Sequence, residues 1–262
     1  MELFDYEKLM GLAEKTHSQY LSASPFPHAV FDDFANLEAL KRAVQEFPTL
    51  EKVAWYKYDN PLERKLAMPH VDLLPTSLRM FFLEFNSGRF VQFLEKLTGI
   101  SGLIPDPKFN GGGLHLILPG GKLDIHADYN FHPETKLDRR LNVLLYLNEN
   151  WKETYGGHLE LWDSMMTKAE KKILPLFNRM AVFSTSDGSL HGHPEPLNCP
   201  EGSSRKSMAV YYYTNGRPEA ELSAPHSTMF KKRPQDPESQ ELDELRKKRG
   251  TRRVADLKTD KS

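Results

Sequence analysis

Apolar residues in the first hundred positions recur every three or four residues, which is the spacing of amphipathic helices. The pattern is clearest between residues 34 and 47, where Leu40, Val44 and Phe47 share one face. Residues 51–72 fit neither helix nor strand, because aromatic residues lie there between charged ones. The pattern predicts helices over residues 5–20, 34–47, 75–85 and 87–99, with a short extended piece at 27–31.

After the glycines at 111–113 the apolar period shortens to two, the spacing of β-strands. In the longest such segment, Leu141, Val143 and Leu145 fall on one face of the strand. Eight short strands at this spacing predict a jelly roll, also called a double-stranded β-helix. The fold class is therefore α+β, mainly β, with the N-terminal helices packed on one sheet. The eight strands are predicted near residues 114–118, 122–127, 140–148, 157–162, 171–175, 179–184, 188–192 and 204–214.

The composition divides the chain into a core and a charged tail. Residues 231–262 hold 18 charged side chains, 11 basic and 7 acidic, with too few apolar residues to form a core of their own. We expect a single domain over residues 1–224, with a helical part (1–105) and a jelly-roll core (106–217). Residues 225–262 are expected to form a charged, partly flexible C-terminal tail, most simply a solvated surface segment.

Charge and cysteine content narrow the functional classes. The 262 residues are 39% hydrophobic and 27% charged, and their formal net charge of −1 argues against a dedicated nucleic-acid binder. Cys199 is the single cysteine, so no intrachain disulfide is possible, which fits a reducing compartment. The N-terminus lacks the features of a secretory signal, and no apolar stretch is long enough to span a membrane. These features predict a soluble, cytoplasmic protein whose oligomeric state is open.

The candidate chemistry begins with His126 and Asp128, two positions apart in a predicted strand. Alternate residues of a strand share a face, so the imidazole and the carboxylate point the same way. They supply two of the three ligands of a facial non-haem iron(II) site. A third ligand is expected from residues 190–194, Leu-His-Gly-His-Pro, where His191 and His193 compete. The alternative interpretation is a surface strand with two polar residues.

A second cluster is predicted on the last strand and on the strand that follows His126. Arg205 starts an apolar strand, and a guanidinium facing a barrel interior must be paired. Its planar fork suits a carboxylate, and Ser207, on the same face, can donate a further hydrogen bond. Tyr146 is the third candidate. An internal ion pair between Arg205 and a glutamate is the alternative.

Residues 112–217 resemble the catalytic domain of the Fe(II)/2-oxoglutarate-dependent dioxygenases, in particular the prolyl-hydroxylase-like branch. The resemblance implies that His126, Asp128 and His191 bind Fe(II). It also implies that Arg205, helped by Tyr146 and Ser207, holds the distal carboxylate of 2-oxoglutarate. Family members often carry a tyrosine on the strand before His126, where this chain has His115, so the role of His115 is left open. The matching pieces are His126-Ala127-Asp128, Tyr146-Leu147-Asn148, Gly156-Gly157, His191-Gly192 and Arg205-x-Ser207.

The resemblance implies hydroxylation of a substrate C–H bond with O2, with release of succinate and CO2 and with ascorbate as a supportive reductant. The substrate is then a small molecule or a peptide, with peptidyl proline first and an amino-acid-like metabolite second; a nucleic acid ranks last. A jelly-roll binding module with a vestigial metal site is the alternative from another class. The substrate candidates are Tyr129, Asn130, His193 and Trp162, with His132, Arg139, Arg140 and His158 also near the expected rim.

Overall fold

The structure is a computed structural model that describes residues 2–251. Residues 252–262, the end of the predicted tail, lie outside the described residues. Among the described residues, no helix is long and apolar enough to cross a membrane.

The predicted N-terminal helices are present, and local capping sets where they begin. The second helix starts at Leu37 rather than at residue 34, because the Asn36 side chain accepts a hydrogen bond from the Ala39 backbone N–H. Ser87 caps another helix in the same way, and Gly99, in the left-handed conformation, ends it. The helices are α1 (Tyr6–Ser22), α2 (Leu37–Gln45), α3 (Thr76–Phe85) and α4 (Gly88–Thr98), with α5 (Gln240–Thr251) near the C-terminus.

Thirteen strands of the described residues join into one antiparallel sheet that curls into a nearly closed barrel. The mainly-β jelly-roll prediction is therefore confirmed. The strands are β1 (His28–Phe31), β2 (Tyr56–Asn60), β3 (Glu63–Met68), β4 (Ile104–Pro105), β5 (Gly113–Ile117), β6 (Lys122–Ala127), β7 (Asp138–Tyr146), β8 (Leu159–Trp162), β9 (Ala169–Ile173), β10 (Met180–Ser184), β11 (Leu190–His193), β12 (Arg205–Thr214) and β13 (Met229–Phe230). Their order is β1-β10-β7-β12-β5-β3-β6-β11-β8-β9, with β13 paired to β6, β2 to β3 and β4 to β12.

The main hydrophobic core lies between the helices and the outer face of β7, β10 and β12. Leu141, Val143 and Leu145 of β7 point into it, as the period-two pattern predicts. The opposite face of β7 carries Asn142 and Tyr146 toward the barrel interior. The helices thus stabilise the sheet from outside, which leaves the interior face free for polar side chains. The aromatic residues of this core include Phe4, Phe31, Phe34, Phe81, Phe82, Phe85, Phe90 and Phe93.

Residues 51–72, which the apolar pattern left open, contain the β2–β3 hairpin. The Asn60 side chain accepts hydrogen bonds from the backbone N–H groups of Leu62 and Glu63, which closes the turn between the strands. The hairpin adds β3 to the sheet between β5 and β6. Residues of the helical part therefore contribute directly to the barrel.

The C-terminal strap, which we define as residues 223–251, packs against the barrel. Its strand β13 pairs with β6, and α5 lies against β13. Arg249 of α5 forms a 2.6 Å ion pair with the buried Glu63 of the hairpin. Backbone pairing, an ion pair and the packing of Met229 thus dock this part of the tail on the barrel. The division of the chain at residue 224 stays a prediction.

Candidate metal centre

Two neighbouring strands bring the predicted metal ligands together. In the β6–β11 pair, His126 stands opposite His191, and their ring centroids are 4.5 Å apart. Asp128 follows β6, with one carboxylate oxygen 3.6 Å from His126 Nε2 and the other 3.4 Å from His191 Nε2. One ligand atom from each of the three residues lies within 4.8 Å of the others. Among the described residues this is the one such group, and His193 is not part of it.

Backbone carbonyls fix the orientation of both imidazoles. His126 Nδ1 lies 2.8 Å from the Asp124 carbonyl, and His191 Nδ1 lies 2.9 Å from the Ser189 carbonyl. Because a carbonyl only accepts, each Nδ1 carries the proton, and each Nε2 presents its lone pair toward Asp128. Burial lowers the pKa of His191 to about 4, although the Asp128 carboxylate opposes this shift. His191 is therefore held in the neutral form that binds metals.

A buried arginine and an asparagine support the carboxylate. Burial alone would raise the pKa of Asp128, but the Arg139 guanidinium holds it well below its usual range. Arg139 Nη2 lies 3.1 Å from Asp128 Oδ2, and Asn142 Nδ2 donates to the same oxygen at 2.7 Å. The Asn142 side-chain oxygen accepts from Arg139 Nε and Nη2 at 3.1 and 2.7 Å. Asp128 Oδ2 is thus held by this network and fixed in place.

Arg139 was expected near the rim, and the structure places it beneath the carboxylate instead. Its guanidinium lies between two rings, 4.5 Å from the centroid of Tyr129 and 3.6 Å from that of Tyr211. The register of the β7–β12 pair shifts at Arg140: Tyr212 pairs with Leu141 and Tyr213 with Arg139, so Arg140 is skipped. This irregularity turns Arg139 to the same side as Asn142, three residues on. Tyr129, expected to contact substrate, donates its hydroxyl to the Asn110 carbonyl and packs on Arg139.

Arg205, Tyr146 and Ser207 lie on one interior face at the other end of the site. Ser207 stands opposite Tyr146 in the β7–β12 pair, and Arg205 is two residues from Ser207 on β12. Arg205 Nε donates to the Gly157 carbonyl at 2.8 Å, and Nη2 lies 3.4 Å from the Tyr146 hydroxyl. Burial lowers the pKa of Arg205, which Tyr146 partly offsets. No carboxylate of residues 2–251 pairs with Arg205, so the internal ion pair weighed from the sequence is absent there.

Gly157 allows Arg205 to approach the backbone closely. Its φ is +72°, a conformation that side chains disfavour. A Cβ at this position would lie 2.6 Å from Leu197 Cδ2 and 3.0 Å from Arg205 Cδ. The Gly156-Gly157 pair of the sequence pattern thus forms the wall behind the guanidinium.

Two further histidines line the region between the hairpin and Arg205. His115 Nε2 donates to the Gly111 carbonyl at 3.0 Å, and burial and the nearby Lys65 lower the pKa of His115 to about 3. His115 stands opposite Ser207 in the β5–β12 pair. His193 is 4% exposed, and neither of its ring nitrogens has a hydrogen-bond partner among the described residues.

The other substrate candidates have internal partners. Asn130 Nδ2 donates to the Ser223 hydroxyl and to the Ala224 carbonyl, so it fastens the C-terminal strap. Trp162 Nε1 donates to Glu160, and its ring packs with Ile125 and Ala127, on the face of β6 opposite His126. The structure therefore does not bring Trp162 to the site. Of the remaining rim candidates, His132 contacts Asn110, Arg140 contacts Thr214 and Glu221, and His158 contacts Glu153.

Sequence reasoning missed the residues that back His126. The Phe230 ring of β13 lies 5.5 Å from the His126 ring, and the Arg249 guanidinium lies 5.4 Å from the Phe230 ring. Glu63 accepts from Arg249 and lies 3.6 Å from Lys65 Nζ. Phe230 was the available signal, since it is an isolated aromatic residue at the start of a charged segment.

The residues present fit an iron(II) site with a diacid beside it. Two neutral imidazoles and one carboxylate on adjacent positions are the donor set of non-haem iron(II) sites. A buried guanidinium without an acidic partner suits a ligand carboxylate, which it binds through paired N–H groups. The site thus has the donor set and the carboxylate receptor expected of a metal-dependent oxygenase that uses a keto-acid.

Comparison with known families supports the same class. The family model of the 2OG-Fe(II) oxygenase superfamily matches residues 112–213 of this chain. That range contains His126, Asp128 and His191 together with Tyr146, Arg205 and Ser207. The resemblance stated from the sequence is confirmed.

Several of the individual relatives are prolyl hydroxylases. Mouse prolyl 3-hydroxylase OGFOD1 (Mus musculus) is 25% identical over 203 residues, which cover 74% of this chain and 34% of that protein. The chain thus spans about a third of the length of this relative. The fold is similar to that of a Trichoplax adhaerens prolyl hydroxylase in complex with a hypoxia inducible factor peptide fragment (TM-score 0.55, 16% identity, covering 79% of this chain and 91% of that one). It is also similar to that of a Pseudomonas putida prolyl-4-hydroxylase (TM-score 0.52, 14% identity, covering 79% and 100%).

Proposed function

We propose that this chain is an Fe(II)- and 2-oxoglutarate-dependent dioxygenase that hydroxylates a C–H bond of its substrate. The observation that carries the proposal is Arg205, a buried guanidinium with no acidic partner among the described residues, in the same barrel as the His126–Asp128–His191 group. An unpaired buried charge costs several kcal/mol, so a ligand carboxylate is the expected partner. A binding module without a keto-acid has no use for this arrangement.

The roles of the side chains follow from their positions. His126 and His191 would hold iron through Nε2 and Asp128 through a carboxylate oxygen, while Arg139 and Asn142 keep that carboxylate ionised and fixed. When bound, iron(II) and the keto-acid supply the oxidising chemistry, with release of succinate and CO2.

The co-substrate end has its own set of residues. Arg205 would pair with the distal carboxylate of 2-oxoglutarate, and Tyr146 and Ser207 flank it on the same interior face. Phe230 and Phe183 pack on the outer sides of the His126 and His191 rings and keep water from them. The protein thus orients and shields the reacting groups.

For the substrate, we propose a peptidyl proline, supported by the prolyl hydroxylases among the relatives. An amino-acid-like metabolite is the second candidate. We also propose a cytoplasmic location, supported by the single cysteine, Cys199, which is buried and free.

The test is succinate release by the full chain with Fe(II), 2-oxoglutarate and ascorbate, over peptide and metabolite libraries. Asp128→Ala should abolish turnover, and Arg205→Ala should raise the 2-oxoglutarate concentration needed by orders of magnitude. His17→Gln is the control, because His17 lies on α1 and its Nδ1 bonds to the Leu97 carbonyl of α4. Native activity in either site variant contradicts the proposal.

A further inference from the structure

His193 is a buried polar side chain without a partner. It is 4% exposed, and both Nδ1 and Nε2 lack a hydrogen bond among the described residues. Every other buried histidine there has at least one bonded ring nitrogen; these are His126, His132 and His191. Buried polar groups in proteins are nearly always paired, so an unpaired one needs an explanation.

The position of His193 indicates what would pair with it. His193 is two residues beyond His191 on β11, so both rings point toward the barrel interior. Gly192 between them packs against β6, where a Cβ would lie 2.7 Å from the Leu123 carbonyl, which fixes the strand in place. The charged groups that act on His193 include Arg205 and Lys65, and His126 also acts on it. His193 is thus close enough to Arg205, Lys65 and His126 for these groups to act on it electrostatically.

The chemistry of the imidazole selects the ligand. An imidazole carries at least one N–H donor in either protonation state, so an acceptor oxygen is its simplest partner. A diacid is the ligand proposed for Arg205, and its carboxylate oxygens are acceptors of this kind.

We propose that His193 is a positioning residue that donates a hydrogen bond to the bound 2-oxoglutarate, between its Arg205 anchor and the metal. The proposal rests on the proposed function. It makes His193 distinct from His191, since it assigns His193 to the co-substrate and not to the metal.

The experiment measures 2-oxoglutarate binding to the full chain loaded with Zn(II), which supports no turnover, by calorimetry. His193→Phe keeps a ring and removes both nitrogens, while His193→Gln restores a donor and an acceptor. The expected result is a roughly ten-fold higher Kd in the phenylalanine variant, the contribution of about one hydrogen bond, and partial recovery in the glutamine variant. Zn(II) affinity without 2-oxoglutarate should not change in either. His17→Phe is the matched control and should bind like the native chain, because His17 lies on α1 and its Nδ1 bonds to the Leu97 carbonyl of α4.

A Kd for 2-oxoglutarate in His193→Phe within two-fold of the native value overturns the proposal, as does a loss of Zn(II) affinity. If the phenylalanine variant does not fold, nitrogen-15 NMR of the native chain decides. A histidine ring N–H signal that is absent from the His193→Gln spectrum should become protected on adding 2-oxoglutarate, and no change overturns the proposal. Failure of the native chain to bind 2-oxoglutarate would instead contradict the proposed function.

Discussion

The two ends of the site differ in how their polar groups are satisfied. At the metal end, the Asp128 carboxylate pairs with Arg139 and accepts a hydrogen bond from Asn142. Each imidazole donates a hydrogen bond to a backbone carbonyl. At the co-substrate end, Arg205 has only a carbonyl and a phenol, and the ring of His193 has no partner in the described chain. At the first end the protein supplies partners for the polar side chains, whereas at the second end a ligand must supply them.

This difference separates stability from binding. Removing a group from the metal end leaves its partner unpaired, so the free energy of unfolding decreases. Removing a group from the co-substrate end removes a buried polar group that has too few partners in the ligand-free protein. The main loss is therefore in affinity for the ligand. The two ends can therefore be told apart by measuring unfolding and ligand affinity on the same variants.

Replacing Arg139 should have the largest effect. Arg139→Met leaves Asp128 charged and buried without its cation, and should lower the free energy of unfolding by about 3–5 kcal/mol in metal-free protein. Urea denaturation measures this, and added Zn(II) should restore part of the loss, because the metal replaces the missing positive charge. Arg140→Met is the neighbouring control; its partner Glu221 is half exposed, so the cost should be about 1 kcal/mol or less. Equal costs for the two variants would remove the distinction between an arginine paired with the buried Asp128 and one paired with a half-exposed glutamate.

Arg205→Met should act in the opposite direction. It removes an unpaired buried charge, so the free energy of unfolding of ligand-free protein should rise by about 1–2 kcal/mol. In contrast, 2-oxoglutarate at 100 times its Kd should stabilise the native Zn(II) protein by about 2.7 kcal/mol and leave the variant unchanged. Denaturation with and without the diacid checks both parts. A destabilised variant would mean that Arg205 is already satisfied in the free protein.

Gly157→Ala should have a smaller effect at the same end. Gly156 and Gly157 both have positive φ, +70° and +72°, so alanine strains the backbone at each. Only at Gly157 does the new Cβ meet Leu197 and Arg205. We expect Gly157→Ala to cost about 1–2 kcal/mol more than Gly156→Ala, and to raise the KM for 2-oxoglutarate. Thermal unfolding and succinate release measure the two effects. Equal stability and equal KM in the two variants would contradict the role of Gly157 as the wall behind the Arg205 guanidinium.

The smallest effect is expected at the C-terminal strap. Arg249→Gln removes the ion pair to Glu63, but Lys65 remains near that carboxylate, so the cost should be about 1 kcal/mol. Lys247→Gln, on the exposed side of α5, is the control and should be neutral. Protease sensitivity after residue 223 should increase in the first variant and not in the second. If both behave alike, the strap is not held by this pair.

The sequence predicted the parts of the fold that are built on apolar periodicity. The helices and the strands around Leu141, Val143 and Leu145 were found because one face of each is apolar and packs in the main core. The hairpin β2–β3 was missed because its inward face carries Lys65 and Glu63 toward a polar site. There the Asx turn at Asn60 was a better signal than hydrophobicity.

Only the site residues that belong to short sequence motifs could be predicted. Spacing placed His126 and Asp128 on one face, and the structure brings His191 to them across neighbouring strands. The place of Arg139 was not predictable, because it depends on a register shift between two strands. The approach of Phe230 depends on β13 returning to β6 from about a hundred residues away, which no local pattern encodes.

The pairing of β13 with β6 has a consequence for any shortened form of this protein. β3 pairs with Lys122 and Leu123 of β6, and β13 with His126 and Ala127 on the following part of the strand. A fragment that ends at residue 217 would leave those backbone groups open, and an open strand edge recruits strands from other chains. Such a fragment should self-associate through β6, the strand that carries His126. A lack of activity in this fragment would then result from aggregation and would not show that the site is inactive.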